Sequence, residues 1–424
     1  MNPSKYKWYV IGMLWCVCFF DYVDRWGVSA LFPLLKKEMH LSPVQLGMLG
    51  SVSAWIYGLG APFAGLVVDR VRRKTAILGG LFIWSAITAA AAVSHSYHVL
   101  LWFMAALGAA VTIYMPSAMS MISDFHGRTT RSRAMGLHQT AVYVGTIGGG
   151  FLAGYIGERY GWRWSFVIFG ALGAVLGLIL LGMLREPERG AADLEACVAA
   201  SPATHVERAS VGTSIKLVLG TPTALLLMGA FMCANFVALV LLAWMPNFLY
   251  DKFHMSVAMA GLSATLFVQV ASMIGSPLGG FLADFFRRKH VGGRALIQAG
   301  AVLCGAPFVF YCGRAGTMTA VIVTLTLWGL FKGLYDANIF ASVYDVMPPH
   351  VRGTAAGFIN MMGWLGGGAA PVMIGWIAER IGPSRAISLS AFVYVAAGVL
   401  LLTATTFFIR RDVSRLEQVS EKGA

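Results

Sequence analysis

Gly65-Leu-Val-Val-Asp69-Arg70-Val-Arg72-Arg73-Lys74 returns 215 residues later as Gly280-Phe-Leu-Ala-Asp284-Phe-Phe-Arg287-Arg288-Lys289. Each copy follows a long apolar stretch and ends in three consecutive basic residues. A second series keeps an offset of 221 and pairs Tyr114 with Tyr335, Asp124 with Asp345, Arg131 with Arg352, Gly145 with Gly366, and Gly161 with Gly382. Self-similarity at fixed offsets indicates two copies of one structural unit.

The composition around these repeats is that of a membrane protein. Of the 424 residues, 58% are hydrophobic and 12% are charged, whereas soluble proteins carry roughly 25% charged residues. This composition excludes a disordered chain, a nucleic-acid-binding domain and an ordinary cytosolic enzyme. The formal net charge of +13 implies no acidic partner, because membrane proteins collect Lys and Arg in their cytoplasmic loops.

Apolar windows long enough to cross a bilayer define the architecture, because a spanning helix needs about 20 mostly apolar residues. Twelve windows are found, at residues 8–33, 44–68, 75–94, 98–122, 134–157, 164–184, 223–249, 259–283, 294–313, 317–345, 354–378 and 385–409. Six windows per copy is an even number, so both copies have the same orientation. The sequence therefore predicts an all-α membrane protein of twelve transmembrane helices in two parallel six-helix bundles.

The positions of the basic residues predict how the chain is oriented. With the N-terminus in the cytoplasm, 22 Lys and Arg residues lie in inside segments and eight in outside segments, as the positive-inside rule requires. We therefore expect both termini in the cytoplasm. The predicted domains are an N-terminal bundle at 1–186, a polar cytoplasmic linker at 187–215, a C-terminal bundle at 216–409 and a cytoplasmic tail at 410–424.

The repeated loop, the twelve windows and the linker together resemble the major facilitator superfamily over essentially the whole chain. Asp21-Tyr22-Val23-Asp24-Arg25 and Tyr160-Gly161-Trp162-Arg163 look like its anion:cation symporter branch. The resemblance implies uptake of small organic anions, such as sugar acids, together with protons. That branch usually carries an Arg and an acidic residue in its fourth span, whereas nothing between Val99 and Ser123 is charged here.

Five ionisable residues fall inside the predicted spans, where charges are costly and indicate function by default. They are Asp21, Asp24, Arg25, Lys332 and Asp336. Two readings stay open. Asp21 with Arg25, and Lys332 with Asp336, are four residues apart, so each is able to form a neutral pair that fixes helix packing. Alternatively, Arg25 and Lys332 present opposed cations to an anionic substrate in a central cavity.

The formal sum of these five charges is minus one, so a fully ionised site would repel an anion. A proton on Asp24 or Asp336, or less favourably on Asp21, would free the neighbouring cation. His138 is a candidate relay, although a lone His is more often a packed polar residue. Hydrogen-bonding or stacking candidates for the substrate are Tyr22, Gln139, Tyr335, Asn338 and Asn360, with Tyr143, Asn235, Gln269 and Trp364 as further possibilities.

The repeated loop itself lies on the cytoplasmic side. The resemblance implies a gate that holds the bundles outward-open through charge pairing at helix ends, whereas the plainer reading is a basic loop that only fixes topology. The gate candidates are Gly65, Asp69, Arg70, Arg72, Arg73, Asp284 and Arg287.

The function expected is proton-coupled symport of a small organic anion by alternating access, in the cell inner membrane and as a monomer. A neutral-sugar or drug carrier of the same fold is the alternative. An enzyme is not expected, because no nucleophile–base or metal-ligand cluster has suitable spacing. The partners expected are the organic anion, protons and the lipid bilayer, with no cofactor, metal or nucleic acid.

Overall fold

The computed structural model describes residues 3–68, 70–127, 130–187, 211–348 and 351–422, and almost all of them are helical. The gate candidate Asp69 and residues 188–210 of the predicted linker lie outside the described residues.

The helices of the first half are α1 (Pro3–Ala30), α2 (Phe32–Met39), α3 (Pro43–Val68), α4 (Arg73–Ala91), α5 (Tyr97–Ala110), α6 (Tyr114–Phe125), α7 (Arg131–Tyr160) and α8 (Trp162–Met183). Those of the second half are α9 (Val211–Leu219), α10 (Pro222–Phe253), α11 (Val257–Arg287), α12 (Gly293–Arg314), α13 (Met318–Asp336), α14 (Ile339–Tyr344), α15 (Arg352–Ile381), α16 (Pro383–Thr403) and α17 (Ile409–Lys422). A 3-10 turn joins α5 to α6, and a π-helical segment joins α16 to α17.

The membrane-spanning character of these helices follows from their length and hydropathy. Within the described parts of the chain, nine helical stretches are long and apolar enough to cross a membrane. The other three predicted windows fall on α1, α3 and α7, which are 28, 26 and 30 residues long. The all-α membrane fold is therefore confirmed, and the chain is a multi-pass membrane protein.

The predicted windows and the predicted tail differ from the observed helices at several boundaries. The first window extends to residue 33, but α1 ends at Ala30 and α2 begins with Pro33 in its first turn, where the missing proline N–H costs no helical hydrogen bond. The tenth window is divided at Asn338, whose side-chain amide donates to the Gly279 and Leu334 carbonyls at 3.1 Å each. The predicted tail at 410–424 is mostly the helix α17.

The chain divides into two compact units. The first contains the described residues of Met1–His205 together with Met245–Thr265, and the second contains those of Val206–Trp244 and Leu266–Ala424. Met245–Thr265 joins the first unit through contacts such as Lys36 Nζ to Asp251 Oδ2, at 3.3 Å. The domain boundaries predicted at residues 186 and 215 stay predictions.

Close helix crossings at glycine occur in both units. In the first unit α1 crosses α7 at glycine, and a Cβ on Gly145 would lie 2.7 Å from the Phe19 carbonyl oxygen. In the second unit α10 crosses α15 in the same way, and a Cβ on Gly366 would lie 2.6 Å from the Met232 carbonyl oxygen. Only glycine permits such close approach of two backbones.

Two further details agree with the repeat. Gly161 and Gly382 have φ values of +94° and +84°, a region that residues with a side chain rarely adopt. Arg131 Nε donates to the carbonyl five residues earlier at 3.1 Å, and Arg352 Nε does the same at 3.3 Å. Residues 221 apart thus perform the same structural task in each unit.

Candidate substrate and proton site

A charged and aromatic cluster lies in the C-terminal half of α1. Arg25 Nη2 donates to both carboxylate oxygens of Asp21, at 3.1 and 3.3 Å, as the four-residue spacing predicts. The guanidinium also lies over two rings, 4.3 Å from the centre of Tyr57 on α3 and 5.2 Å from that of Tyr22. Arg25 is therefore held by one acid and two aromatic faces, all in the first unit.

Asp24 belongs to the same helix but has a different environment. It is 5% exposed, and its Oδ2 accepts a hydrogen bond of 3.4 Å from the Thr88 hydroxyl of α4. Its other oxygen, Oδ1, is buried without a hydrogen-bond partner among the described residues. A buried carboxylate with one long hydrogen bond is costly in the charged form.

The predicted relay residue His138 lies on α7 and is fully buried. The Tyr114 hydroxyl donates to the Leu14 carbonyl at 2.6 Å and lies 2.9 Å from His138 Nε2. Because that hydroxyl has a single proton, His138 donates through Nε2–H, and its Nδ1 carries the lone pair. Nδ1 has no hydrogen-bond partner in the described part of the chain. The hydrogen bonds of the Tyr114 hydroxyl connect α6 with α1 and α7. A proton-relay role for His138 stays a prediction.

The corresponding charges of the second unit lie on α13. Lys332 Nζ forms an ion pair with Asp336 Oδ2, again at the predicted four-residue spacing. The Asp336 side chain is 32% exposed and that of Lys332 is 15% exposed. This pair is thus more accessible than the Asp21–Arg25 pair, in which the acid is 2% exposed.

The remaining substrate-binding candidates have diverse surroundings. Asn338 is buried and makes the two backbone hydrogen bonds that divide the tenth window. Tyr335 is also buried, whereas Gln139 is exposed and Asn360 is half-buried. The Asn235 amide donates to the Gly363 carbonyl at 2.7 Å, so it fixes the crossing of α10 and α15.

One gate candidate of the first unit, Arg73, belongs to a charge cluster at the start of α4. Arg73 Nε lies 2.5 Å from Asp124 Oδ2 and donates to the Ser120 hydroxyl at 2.9 Å. Arg70 and Arg72 are exposed, and Gly65 lies within α3. The first copy of the loop therefore joins α4 to the end of α6.

The second copy of the loop forms a related network with one more arginine. Arg294 contacts Asp345 at 2.7 Å and Asp284 at 2.9 Å, and Arg287 Nε lies 3.3 Å from Asp345. Asp124 and Asp345 are partners at the 221-residue offset, so each loop copy engages the equivalent acid of its own unit.

Several residues of these clusters were not site candidates from the sequence, among them Tyr57, Thr88 and Arg294. Tyr57 and Thr88 lie on other helices than α1, and no spacing connects them to Arg25 or Asp24. Arg294 lies five residues after the second basic run. Its closeness in sequence to Asp284 could therefore have identified it as a partner of that acid. No group of three or more His, Cys, Asp or Glu side chains suited to a metal ion occurs among the described residues.

Comparison with known proteins identifies the group of proteins that this chain is similar to. A family model described as Major Facilitator Superfamily matches residues 14–371 and 226–423. The probable galactarate/D-glucarate transporter GudP of Escherichia coli (strain K12) is 24% identical, over 97% of this chain and 95% of that protein. The hexuronate transporter of Bacillus subtilis (strain 168) is also 24% identical, over 89% of this chain and 90% of that protein.

A solved structure of the same fold is a bacterial homolog of the human lysosomal transporter Spinster, in an inward-facing and unoccupied conformation. It superimposes with a TM-score of 0.80 at 21% sequence identity, and the match covers 98% of each chain. At this identity the likeness establishes the fold. The matched relatives are transporters, which confirms the prediction that the chain is not an enzyme.

Proposed function

The chain belongs to the major facilitator superfamily, and on that basis we propose that it is a proton-coupled symporter that takes up a small organic acid. Sugar acids are the proposed substrate class, because galactarate, D-glucarate and hexuronates are named for two relatives that it matches over most of their length. The proposal includes alternating access, a location in the cell inner membrane with both termini in the cytoplasm, and a functional monomer.

Arg25 is the proposed anchor for the substrate carboxylate. Its guanidinium is a planar fork that fits a carboxylate with two parallel hydrogen bonds. The rings of Tyr57 and Tyr22 also contact the guanidinium, with its central carbon 4.3 and 5.2 Å from the ring centres. Asp21 binds Arg25 Nη2 at 3.1 Å, and a substrate carboxylate would compete with Asp21 for the guanidinium or bind it together with Asp21.

The burial of Asp24 beside this pair carries the proposal of proton coupling. Asp21 and Arg25 neutralise each other, so Asp24 adds one uncompensated negative charge in the membrane if it is ionised. Its sole hydrogen bond among the described residues comes from Thr88. A proton on Asp24 removes this charge, and an anionic substrate is then able to approach Arg25. Substrate and proton would thus favour each other's binding.

Lys332 is the proposed second cation, with Asp336 as its acid. Lysine acts as a point charge on a flexible stem, and its partner Asp336 is partly exposed. An anionic group of the substrate is able to replace the partly exposed Asp336 more readily than it could replace a fully buried acid.

Transport by purified protein in liposomes tests the proposal. We expect an inward proton gradient to accumulate radiolabelled D-glucarate, galactarate or a hexuronate, and a protonophore to abolish the accumulation. A neutral hexose serves as the control substrate and should not accumulate. Accumulation of the acid that persists without any pH gradient or voltage would contradict proton coupling. Transport of the neutral sugar instead of the acids would favour the alternative carrier.

A further inference from the structure

An apolar groove runs along the outside of the first unit between α1 and α8. Its volume is about 520 Å³, within the range of roughly 300 to 1,000 Å³ that is typical of small-molecule sites. Trp8, Gly12 and Cys16 line one wall, and Leu176, Ile179 and Met183 line the other. Both walls belong to predicted spans, and their apolar side chains suit contact with the hydrocarbon of the bilayer.

The groove has a fixed shape at the end nearest the N-terminus. The Tyr6 hydroxyl donates to the Met183 carbonyl at 2.9 Å and accepts from the Arg185 backbone N–H at 2.7 Å. These two hydrogen bonds tie the start of α1 to the end of α8. Trp8 is 39% exposed and Met183 is 52% exposed at this end, so the walls are open to a ligand from the side.

Two cations lie at the same end. Lys5 is exposed and precedes Trp8 and Tyr9 by one helical turn, so it extends the α1 face that lines the groove. The Arg185 guanidinium lies 5.2 Å from the centre of the Tyr6 ring. The neighbouring acid, Glu186, accepts hydrogen bonds from the backbone N–H groups of Arg73 and Lys74 at 2.8 and 2.7 Å. Its carboxylate is therefore directed at α4.

We propose that this groove holds an acyl chain of an anionic phospholipid, whose headgroup phosphate lies at Lys5 and Arg185. The apolar walls match the chain, and the two cations match the negative headgroup. Trp8 and Tyr9 stand at the depth where aromatic side chains anchor a helix at the membrane interface. This site is separate from the Arg25 cluster and independent of the transported substrate.

Glycine 12 provides a direct test, because no atom lies within 4 Å of a Cβ placed on it. Gly12→Leu should fill the groove without disturbing the fold, and Gly12→Ala should leave most of it open. Gly300→Leu is the matched control, because Gly300 on α12 is equally open and lies far from the groove in sequence. Thermal melting of all three variants checks that the fold is retained.

Native mass spectrometry with phosphatidylglycerol and phosphatidylcholine of identical chains gives the readout. We expect the parent protein, Gly12→Ala and Gly300→Leu to retain phosphatidylglycerol at least fivefold more than phosphatidylcholine. Gly12→Leu should retain at least fivefold less phosphatidylglycerol than the parent. The double variant Lys5→Ala with Arg185→Ala should bind both lipids equally. Parent-like retention by Gly12→Leu, or an unchanged lipid preference in the double variant, would overturn the proposal.

Discussion

Asp21 and Asp24 are three residues apart on one helix, yet their carboxylates have different hydrogen-bond partners. Asp21 receives two hydrogen bonds from Arg25, whereas Asp24 receives one long hydrogen bond from Thr88. The helical period alone predicts the first contact, because residues four apart share a face. The second depends on how α4 packs against α1, and the sequence contains no spacing that reveals it. The acid suited to carry a proton is thus identified by its tertiary environment.

Asp24→Asn is expected to uncouple transport. Asparagine has nearly the shape of the protonated acid and hydrogen-bonds in a similar way, but it does not titrate. Gradient-driven accumulation in liposomes should be lost, while exchange of labelled for unlabelled substrate continues. Asp251→Asn is the matched control, because Asp251 is a partly exposed acid paired with Lys36, and it should accumulate substrate normally. Accumulation by Asp24→Asn at the parent level would exclude Asp24 as the proton carrier.

His126 makes stability depend on pH at the junction of α6 and α7. Its Nε2 donates to the Lys7 carbonyl at 3.1 Å, and its Nδ1 lies 3.1 Å from the Thr130 hydroxyl. Burial lowers the pKa of His126 below its ordinary value, so the folded protein favours the neutral ring. The stability from this ring is complete above about pH 6.5 and is lost as the pH falls from there towards the lowered pKa.

The predicted consequence is a melting temperature that falls between about pH 6.5 and pH 5. His126→Gln keeps a donor and an acceptor but does not titrate, so this variant should lose less stability over the same interval. Melting curves of both proteins at pH 7.5, 6.5, 5.5 and 5.0 provide the measurement. Parallel pH profiles for parent and variant would contradict the assignment to His126.

At the level of elements, the beginning of α4 is stabilised from a distant part of the chain. Helix α4 has no side-chain cap of its own at Arg72. Instead, Glu186 accepts from the first backbone N–H groups at Arg73 and Lys74. A carboxylate at this position satisfies N–H groups that have no partner within the helix, and it also favours the positive end of the helix dipole.

Glu186→Ala is therefore expected to lower stability by about 0.5 to 2 kcal/mol, the usual effect of losing a helix cap. Glu186→Gln should lose less, because its amide oxygen still accepts one of the two hydrogen bonds. Thermal melting in detergent measures both. Glu158 is also exposed, and Glu158→Ala provides a control. Equal melting temperatures for the parent and Glu186→Ala would contradict this capping role.

Element boundaries show where sequence patterns stop being informative. The apolar windows fall on helical parts of the chain, because the bilayer requires long apolar segments whose backbone groups are paired internally. The division of the tenth window at Asn338 was not predicted. It depends on an amide that reaches the Gly279 carbonyl of α11, a contact that exists only after the helices pack. Tyr57 and Thr88 were not predicted either, because their contacts with Arg25 and Asp24 also form only after the helices pack.

At the scale of the whole molecule, the two units share a backbone plan but differ in the location of their charges. Gly145 meets the Phe19 carbonyl, and its counterpart Gly366 meets the Met232 carbonyl, which aligns α1 with α10 at an offset of 213. The positions equivalent to Asp21 and Arg25 are then Ala234 and Ala238. The second unit instead carries Lys332 and Asp336 on α13.

The first unit in turn has no charge at the position equivalent to Lys332, which is the buried residue Val111. Each unit thus contributes one cation–acid pair from a different helix of the repeat. If such a pair served only helix packing, we would expect it at equivalent positions in both units. This asymmetry supports a role for Lys332 with the substrate, which substitution at Lys332 tests directly.

Lys332→Ala should raise the apparent substrate constant by tenfold or more, because a charge-assisted hydrogen bond contributes roughly 1.5 to 3 kcal/mol and tenfold corresponds to about 1.4 kcal/mol. The same change should also lower the melting temperature, because Asp336 loses its cation. Lys332→Ala combined with Asp336→Ala separates the two readings. A binding lysine predicts that the double variant regains stability while substrate affinity stays low. Recovery of near-parent affinity in the double variant would instead make the pair structural, since no cation would then be needed at this position.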